Sequence, residues 1–399
     1  MSEGMIGWRE YHLNEIYTFA SGLSKSRDQF GFGFPFLSFK EVFTNFFLPK
    51  KLGNLANTSV KERLQCSIKK GDVFLTRTSE TQEELGMSSV ALIDYPEATF
   101  NGFTKRLRPI GHIDLWPEYT GYYFRSPYFR ATVTSMSSMT TRASLNNDMM
   151  SALKIMVPPL SEQKAIANLL SSLDDKIDLL HRQNKTLESM AETLFRQWFI
   201  EEAQEGWGEY SVSDFADHVK ENVVPAKSKS EYYHHYSLPA FDEGKRPTLE
   251  LGSEILSNKY KVVEHSILVS KLNPKVPRIW PVSSLPSKNS ICSTEFQVLT
   301  PKNIRLYGYL LFLLRSNDAV DALSMAASGT SGSHQRVRPE DIFNIKTRLP
   351  SLARAEQYSD MVMPGIAKTA TNLVQIETLE KLRDTMLPKL MSGEVTVIN

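Results

Sequence analysis

The chain is built twice over. Gly7-Trp8-Arg9-Glu10-Tyr11 returns as Gly206-Trp207-Gly208-Glu209-Tyr210, and Val157-Pro158-Pro159-Leu160-Ser161-Glu162-Gln163 returns, loosened, as Leu349-Pro350-Ser351-Leu352-Ala353-Arg354-Ala355-Glu356-Gln357. The period, about 190 to 200 residues, is far beyond that of a solenoid repeat. Whole domains are therefore repeated, and each is long enough to bury its own core.

Each copy ends in an amphipathic stretch. Ile166, Leu170, Leu173, Ile177, Leu180, Asn184, Leu187, Ala191, Leu194 and Trp198 succeed one another in steps of four and three, the heptad seam of a coiled coil. Beginning near Ser161, such a helix runs about 40 residues, or about 60 Å, longer than either globular unit. Asn184 is a lone polar residue in the seam, where it either fixes register or reaches solvent at the seam's edge. The second seam carries Ile366, Leu373, Ile376, Leu379, Leu382, Met386 and Leu390. Pro364-Gly365 predicts a kink or a late start in it, and Pro388 an end or a bend. Two seams of similar length in one chain pair most simply with each other, antiparallel, with the globular units at opposite ends of the spacer.

Ahead of each helix the pattern is mixed. Phe34–Phe39 and Val73–Thr78 read as strands, with Lys69-Lys70-Gly71-Asp72 as the turn before the second. Tyr119 to Ser135 reads as a helix bent at Pro127, followed by the polar loop Ser137–Arg142. In the second copy His265–Lys271, Tyr307–Met325 and Ser328–Arg336 occupy the same places. The scaffold repeats while its side chains differ.

With 46 Lys and Arg against 45 Asp and Glu the net charge is +1, which argues against a protein that merely coats nucleic acid but permits local basic surfaces. No apolar run is long enough to span a bilayer and no secretory leader opens the sequence, so a cytoplasmic protein is expected. The two cysteines, Cys66 and Cys292, one per copy and without metal-ligand spacing, read as core thiols. His234-His235 on an extended chain would point apart, favouring packing over metal binding. Phe30-Gly31-Phe32-Gly33-Phe34 lacks the Lys-Ser/Thr of a phosphate loop and reads as a turn into the first strand.

The segment Val157–Ile166 with its heptads, and the ending Leu387-Pro388-Lys389-Leu390-Met391-Ser392-Gly393-Glu394-Val395, closely resemble the specificity subunit of type I restriction-modification systems. The Gly-Trp-x-Glu-Tyr openings and the Gly71–Leu75 strand are similar to the starts and inner strands of that family's target-recognition domains. The resemblance implies an α+β chain with a pseudo-twofold internal repeat: a first target-recognition domain over 1–158, a long helix over 159–204, a second target-recognition domain over 205–350 and a C-terminal long helix over 351–399. It further implies a non-catalytic, DNA-binding subunit whose domains each read half of a split asymmetric sequence. The paired helices would dock two methyltransferase subunits that bind S-adenosylmethionine, and restriction subunits would complete the complex; no cofactor is expected on this chain. The departures are His265-Ser266 in place of Gly-Asp, two extra residues between Leu352 and Glu356, and Pro364-Gly365.

Geometry independent of the resemblance agrees, since two readers on a rigid spacer would meet half-sites about one turn of DNA apart (~34 Å). Residues that read bases should be polar, on loops or strand ends, and close to cations that hold phosphate. The first copy offers Thr76, Arg77 and Thr78, then Lys105 and Arg106, then Ser138, Thr140, Thr141 and Arg142. The second offers Lys271, Asn273 and Lys275, then Ser331, Ser333, His334, Gln335 and Arg336. Each also has the reading of an ordinary solvated residue. Phe195, Trp198 and Phe199 are candidates either for subunit docking or for packing on the neighbouring domain. Two other functions compete: a coiled-coil scaffold that never meets DNA, and a DNA-modifying enzyme. Against the enzyme, the chain has no Asn/Asp-Pro-Pro-Tyr/Phe motif of amino-methyltransferases, only Asn273-Pro274-Lys275.

Overall fold

The computed structural model describes residues 7–79, 84–136, 143–327 and 335–397. The chain forms two compact units: Met1–Asp178 together with Ile376–Asn399, and Leu179–Gln375. Both boundaries fall inside long helices, Leu160–Arg196 and Leu352–Met391, so each unit owns half of each helix.

The first unit opens with the strand Arg9–His12, paired antiparallel to Lys154–Val157 just ahead of the long helix. Its principal sheet has four antiparallel strands in the order Tyr17–Ser21, Thr104–Pro109, Val73–Thr76, Ser88–Val90. Val73–Thr76 is wholly buried, which is why its sequence is apolar without alternation. A smaller sheet joins Asn54–Ala56, Phe30–Leu37 and Thr99–Phe100, the last pair parallel. Phe30–Phe34, expected as a turn, is strand: Gly31 and Gly33 take positive φ and the register shifts between Phe30 and Phe34, a bulge in place of a turn.

The second unit repeats this plan. Gly208–Ser211 pairs with Lys346–Leu349, and its four-stranded sheet runs Ala216–Val219, Phe296–Pro301, Ser266–Ser270, Ile279–Val282, in the order of its counterpart. The smaller sheet keeps the parallel pair, Tyr232–Tyr236 with Ser290–Ser293, and gains the strands Asn222–Val223 and Lys259–Lys261. The repeat extends to backbone torsion. Gly71 has φ +86° and His265, in its place, +54°, so the second copy keeps a left-handed turn that glycine adopts freely and histidine adopts under strain.

The helix expected over Tyr119–Ser135 is two helices, Pro117–Arg125 and Pro127–Met136, broken at Ser126; Pro127 opens the second helix and does not bend a single one. The other copy breaks at Ser316 without proline, because the Ser316 hydroxyl accepts the Ala319 amide and caps Asn317–Ala326.

In the first unit Ile166 and Leu170 share a core with Leu387, Leu390 and Met391, while Asp174 meets Arg383. In the second, the Asn372 amide donates to Asn184 Oδ1 (2.7 Å) and Gln183 Oε1 (2.9 Å), and the Tyr358 hydroxyl donates to the Ala191 carbonyl (2.8 Å). In both, one helix rises in number as the other falls, so the helix halves pair antiparallel. Asn184 is thus a partner of a fully buried Asn372, and the register reading prevails over the solvent-edge one.

Two expectations for the second long helix change: it neither starts late at Pro364-Gly365 nor ends at Pro388, and one seam position moves. It is continuous from Leu352 to Met391, through Pro364, Gly365 and Pro388. The seam position assigned to Leu382 belongs to Arg383: Leu382 is exposed, whereas Arg383 reaches Asp174 at 2.8 Å, and Asp174 also accepts the Tyr122 hydroxyl at 2.7 Å. Pairing lets a charge stand where a heptad count favours leucine.

Cys66 and Cys292 are buried and free, and burial pushes the Cys292 thiol up to about 12. His234 and His235 lie on the strand Tyr232–Tyr236; His234 meets Ser287 and His235 meets Glu250 (3.0 Å). Among the described residues no group of three or more metal-binding side chains is assembled, and no helix is long and apolar enough to cross a membrane.

Candidate nucleic-acid interface

Some of the sequence candidates meet at one backbone junction in each unit. In the first, the Arg77 amide donates to the Phe103 carbonyl (2.8 Å) and the Arg77 carbonyl accepts from Leu145 (2.9 Å). Thr78–Ser79 pairs with Ala143–Ser144, the segment that directly follows the polar loop in sequence. One backbone residue therefore ties together a strand end, the Asn101–Thr104 turn and the root of the loop. In the second, the Lys271 amide donates to the Glu295 carbonyl (2.8 Å), and the Lys271 carbonyl accepts from Val337 (3.0 Å). Leu272 bridges Arg336, and the Asn273 amide donates to the Gln335 carbonyl (2.9 Å). Strand register makes Arg77 and Lys271 equivalent, since Leu75 pairs with Lys105 as Val269 pairs with Gln297.

Several predicted contacts are interior. Thr76 is fully buried; its hydroxyl donates to the Glu84 carbonyl and accepts the Met87 amide, which fixes the turn and leaves nothing to read a base. Lys105 is buried, with its ammonium donating to Ser21 Oγ (2.8 Å) and Asn147 Oδ1 (2.9 Å). Burial, then the charge of Arg77, holds its pKa below the usual lysine range. Arg106 is buried too, and donates to the Ser67 carbonyl at 2.6 Å; burial first, then Arg108, lowers its pKa. These three expected readers are parts of the frame.

The remainder face outward to differing degrees. Arg77, Thr78, Lys271, Asn273 and Gln335 are half-buried, while Lys275 and Arg336 are exposed. Arg336 stands against Glu295, its Nε and Nη2 each 3.2 Å from a carboxylate oxygen. Asn273 has φ +51°, a conformation asparagine tolerates, and turns the chain toward Lys275. Gln335 Oε1 is buried with no hydrogen-bond partner among the described residues. Ser138, Thr140, Thr141, Arg142, Ser331, Ser333 and His334 lie outside the described residues. Sequence reasoning missed Phe103, which is 61% exposed at the tip of the Asn101–Thr104 turn; the Asn101-Gly102 pair was the signal for a tight turn carrying an exposed residue.

Phe195 and Phe199 do not form a docking face. They are buried against Tyr309 and Tyr358, with ring centroids 4.9 to 5.6 Å apart. Trp198 is half-buried and covered by the Arg354 guanidinium, 3.5 Å from its ring centre.

Comparison with known proteins agrees with this duplicated frame. Residues 5–189 match the family model described as the type I restriction modification DNA specificity domain. Over 98% of the chain and 94% of the relative, the sequence is 25% identical to the type I restriction enzyme MjaIX specificity subunit of Methanocaldococcus jannaschii. The chain is similar to type I restriction-modification specificity subunits along nearly its whole length. A second such subunit, of the HindI enzyme of Haemophilus influenzae, is 27% identical over 49% of the chain and 42% of its own length. The crystal structure of the type I S subunit from M. genitalium has the same fold, with a TM-score of 0.61 at 13% identity and 96% of each chain covered.

Proposed function

We propose that the two units read two different DNA half-sites, so that the protein specifies a bipartite, asymmetric sequence. The observation that carries this is the recurrence of the strand-end junction at the root of both polar loops with changed side chains, Arg77 and Thr78 in one and Lys271 and Leu272 in the other. A shared backbone frame with different polar tips is what a duplicated reader of two dissimilar sequences requires. Arginine can hold a guanine edge through two hydrogen bonds and glutamine an adenine edge, while Lys275 is suited to phosphate. The paired long helices dock two methyltransferase subunits, which bring S-adenosylmethionine, and restriction subunits join this assembly in the cytoplasm.

The test is to express the chain with its methyltransferase partner and map methylated adenines in the DNA. One split motif is expected. Substituting Thr141 and Arg142 should change one half of it and substituting Gln335 and Arg336 the other. Methylation without a split motif, or loss of both halves from either pair, would overturn the reading.

A further inference from the structure

The second unit contains a cavity of about 390 Å³ where the first unit is filled. Strand register fixes the comparison. Val73 pairs with Leu107 and Val90, as Ile267 pairs with Leu299 and Pro281, so Pro281 stands in the place of Val90 and Ile279 in that of Ser88. The serine breaks at Ser126 and Ser316 align the helices above, making Gly121, Tyr122 and Arg125 equivalent to Leu311, Phe312 and Arg315. A hydrogen bond confirms the match: Arg125 donates to the Ser88 carbonyl (2.6 Å) and Arg315 to the Ile279 carbonyl (3.4 Å).

In the first unit the place is occupied by Phe46 and Phe47. Both rings pack on Tyr122 (5.7 and 5.4 Å), and Phe47 lies so close to Gly121 that a Cβ there would meet its ring at 2.3 Å. The Phe46 carbonyl accepts the Val90 amide, and the Leu48 amide donates to the Val90 carbonyl, so this segment borders the sheet edge as an added strand would. Arg125 donates to the carbonyls of Val42, Phe43 and Asn45, and the Arg383 guanidinium covers Phe46.

In the second unit each of those fittings has changed. Pro281 has no amide for a bordering carbonyl, Leu311 fills the notch of Gly121, and Ala191 stands in the place of Arg383 by the match of Thr186-Leu187-Glu188 to Thr378-Leu379-Glu380. Arg315 turns to Glu188 at 2.6 Å. The result is a cavity with Phe241, Trp280, Phe312 and Leu373 in its walls and Arg315 at its side, within the size range of ligand sites.

We propose that this cavity receives an aromatic side chain from another polypeptide, in the way the first unit receives Phe46 and Phe47 from its own chain. Within this sequence no aromatic is free to serve as the guest: none of the residues outside the described ones is Phe, Tyr or Trp, and those within are already placed elsewhere. Its chemistry is set by the lining, an aromatic ring against Phe241, Trp280, Phe312 and Leu373, with a neighbouring backbone carbonyl to accept from Arg315 at a rim that also carries Glu188 and Lys245. This goes beyond the reading of DNA and stands without it.

The probe is the acetylated, amidated tetrapeptide Asn-Phe-Phe-Leu, the sequence of residues 45–48, titrated by calorimetry into the full chain without DNA. We expect saturable binding at one site, and binding weaker by about tenfold or more for Asn-Ala-Ala-Leu, because a buried aromatic anchor dominates such contacts. Ala370→Trp, which fills the cavity from the helix side, should abolish binding. Ala191→Arg, which restores the side chain of the first unit, should do the same, so a folding failure of either variant leaves the other, and melting curves identify it. Equal binding of both peptides, or undiminished binding to a folded plugged variant, would overturn the proposal. Self-association of the chain that plugging abolishes would assign the cavity to a second copy, and would overturn it equally.

Discussion

The two units share a backbone plan and hold it together by different means. In the first, charge and hydrogen bonding reach into the frame. Asp72, fully buried, is gripped by Arg108 through Nε (2.7 Å) and Nη2 (2.6 Å), and Asp174 joins Tyr122 to Arg383. In the second, Ser266 replaces Asp72 and satisfies itself on the Val263 carbonyl. The helix halves there meet through neutral amides, and four rings, Phe195, Phe199, Tyr309 and Tyr358, form an aromatic cluster at their end. A duplicated scaffold thus conserves hydrogen-bonded topology and left-handed turns more strictly than the chemistry of its interior, because several side-chain solutions satisfy one backbone.

The contrast can be broken most directly at the aromatic cluster. Phe195→Ala should cost the second unit about 3 to 5 kcal/mol, the usual range for a buried phenylalanine, read as faster hydrogen exchange throughout Leu179–Gln375. An effect as small as that of a surface residue would return Phe195 to a docking role. Next comes Asp72→Asn, which strips a carboxylate from Arg108 and should cost the first unit about 3 kcal/mol. Ser266→Ala, at the equivalent position, should cost no more than about 1 kcal/mol; equal losses would erase the distinction drawn here.

The smallest effect lies at the helix Val60–Gln65 of the first unit. The Lys25 ammonium, with the Ser59 cap, lowers the Glu62 carboxyl to about 2. A carboxyl depressed on folding adds stability that is complete above its unfolded value, about 4.3, and is lost as pH falls toward the folded value. Titration followed by carboxyl NMR should show this, and Lys25→Met should raise the Glu62 pKa. An unchanged value in that variant would remove the lysine as the cause.

The duplication, the antiparallel helix pair and the paired candidate surfaces were legible because they rest on order and period, which survive side-chain change. What escaped the sequence depended on distant partners. Lys105 and Arg106 after an Asn-Gly turn resemble exposed cations until Ser21, Asn147 and the Ser67 carbonyl, far away in sequence, are seen to receive them. Leu382 outranked Arg383 as a seam residue because a count of apolar spacing cannot register Asp174 on the facing helix. Pro364 reads locally as a break, yet the helix passes through it with Tyr358, Val362 and Ile366 buried in the core of the second unit. There tertiary packing overrides local propensity.

The division of both long helices between the units also has a consequence for synthesis. The second unit is one uninterrupted stretch, Leu179–Gln375, whereas the first takes Leu387, Leu390 and Met391 into its core from the far end of the chain. On the ribosome, where domains otherwise close in the order they emerge, the domain begun first is the one completed last.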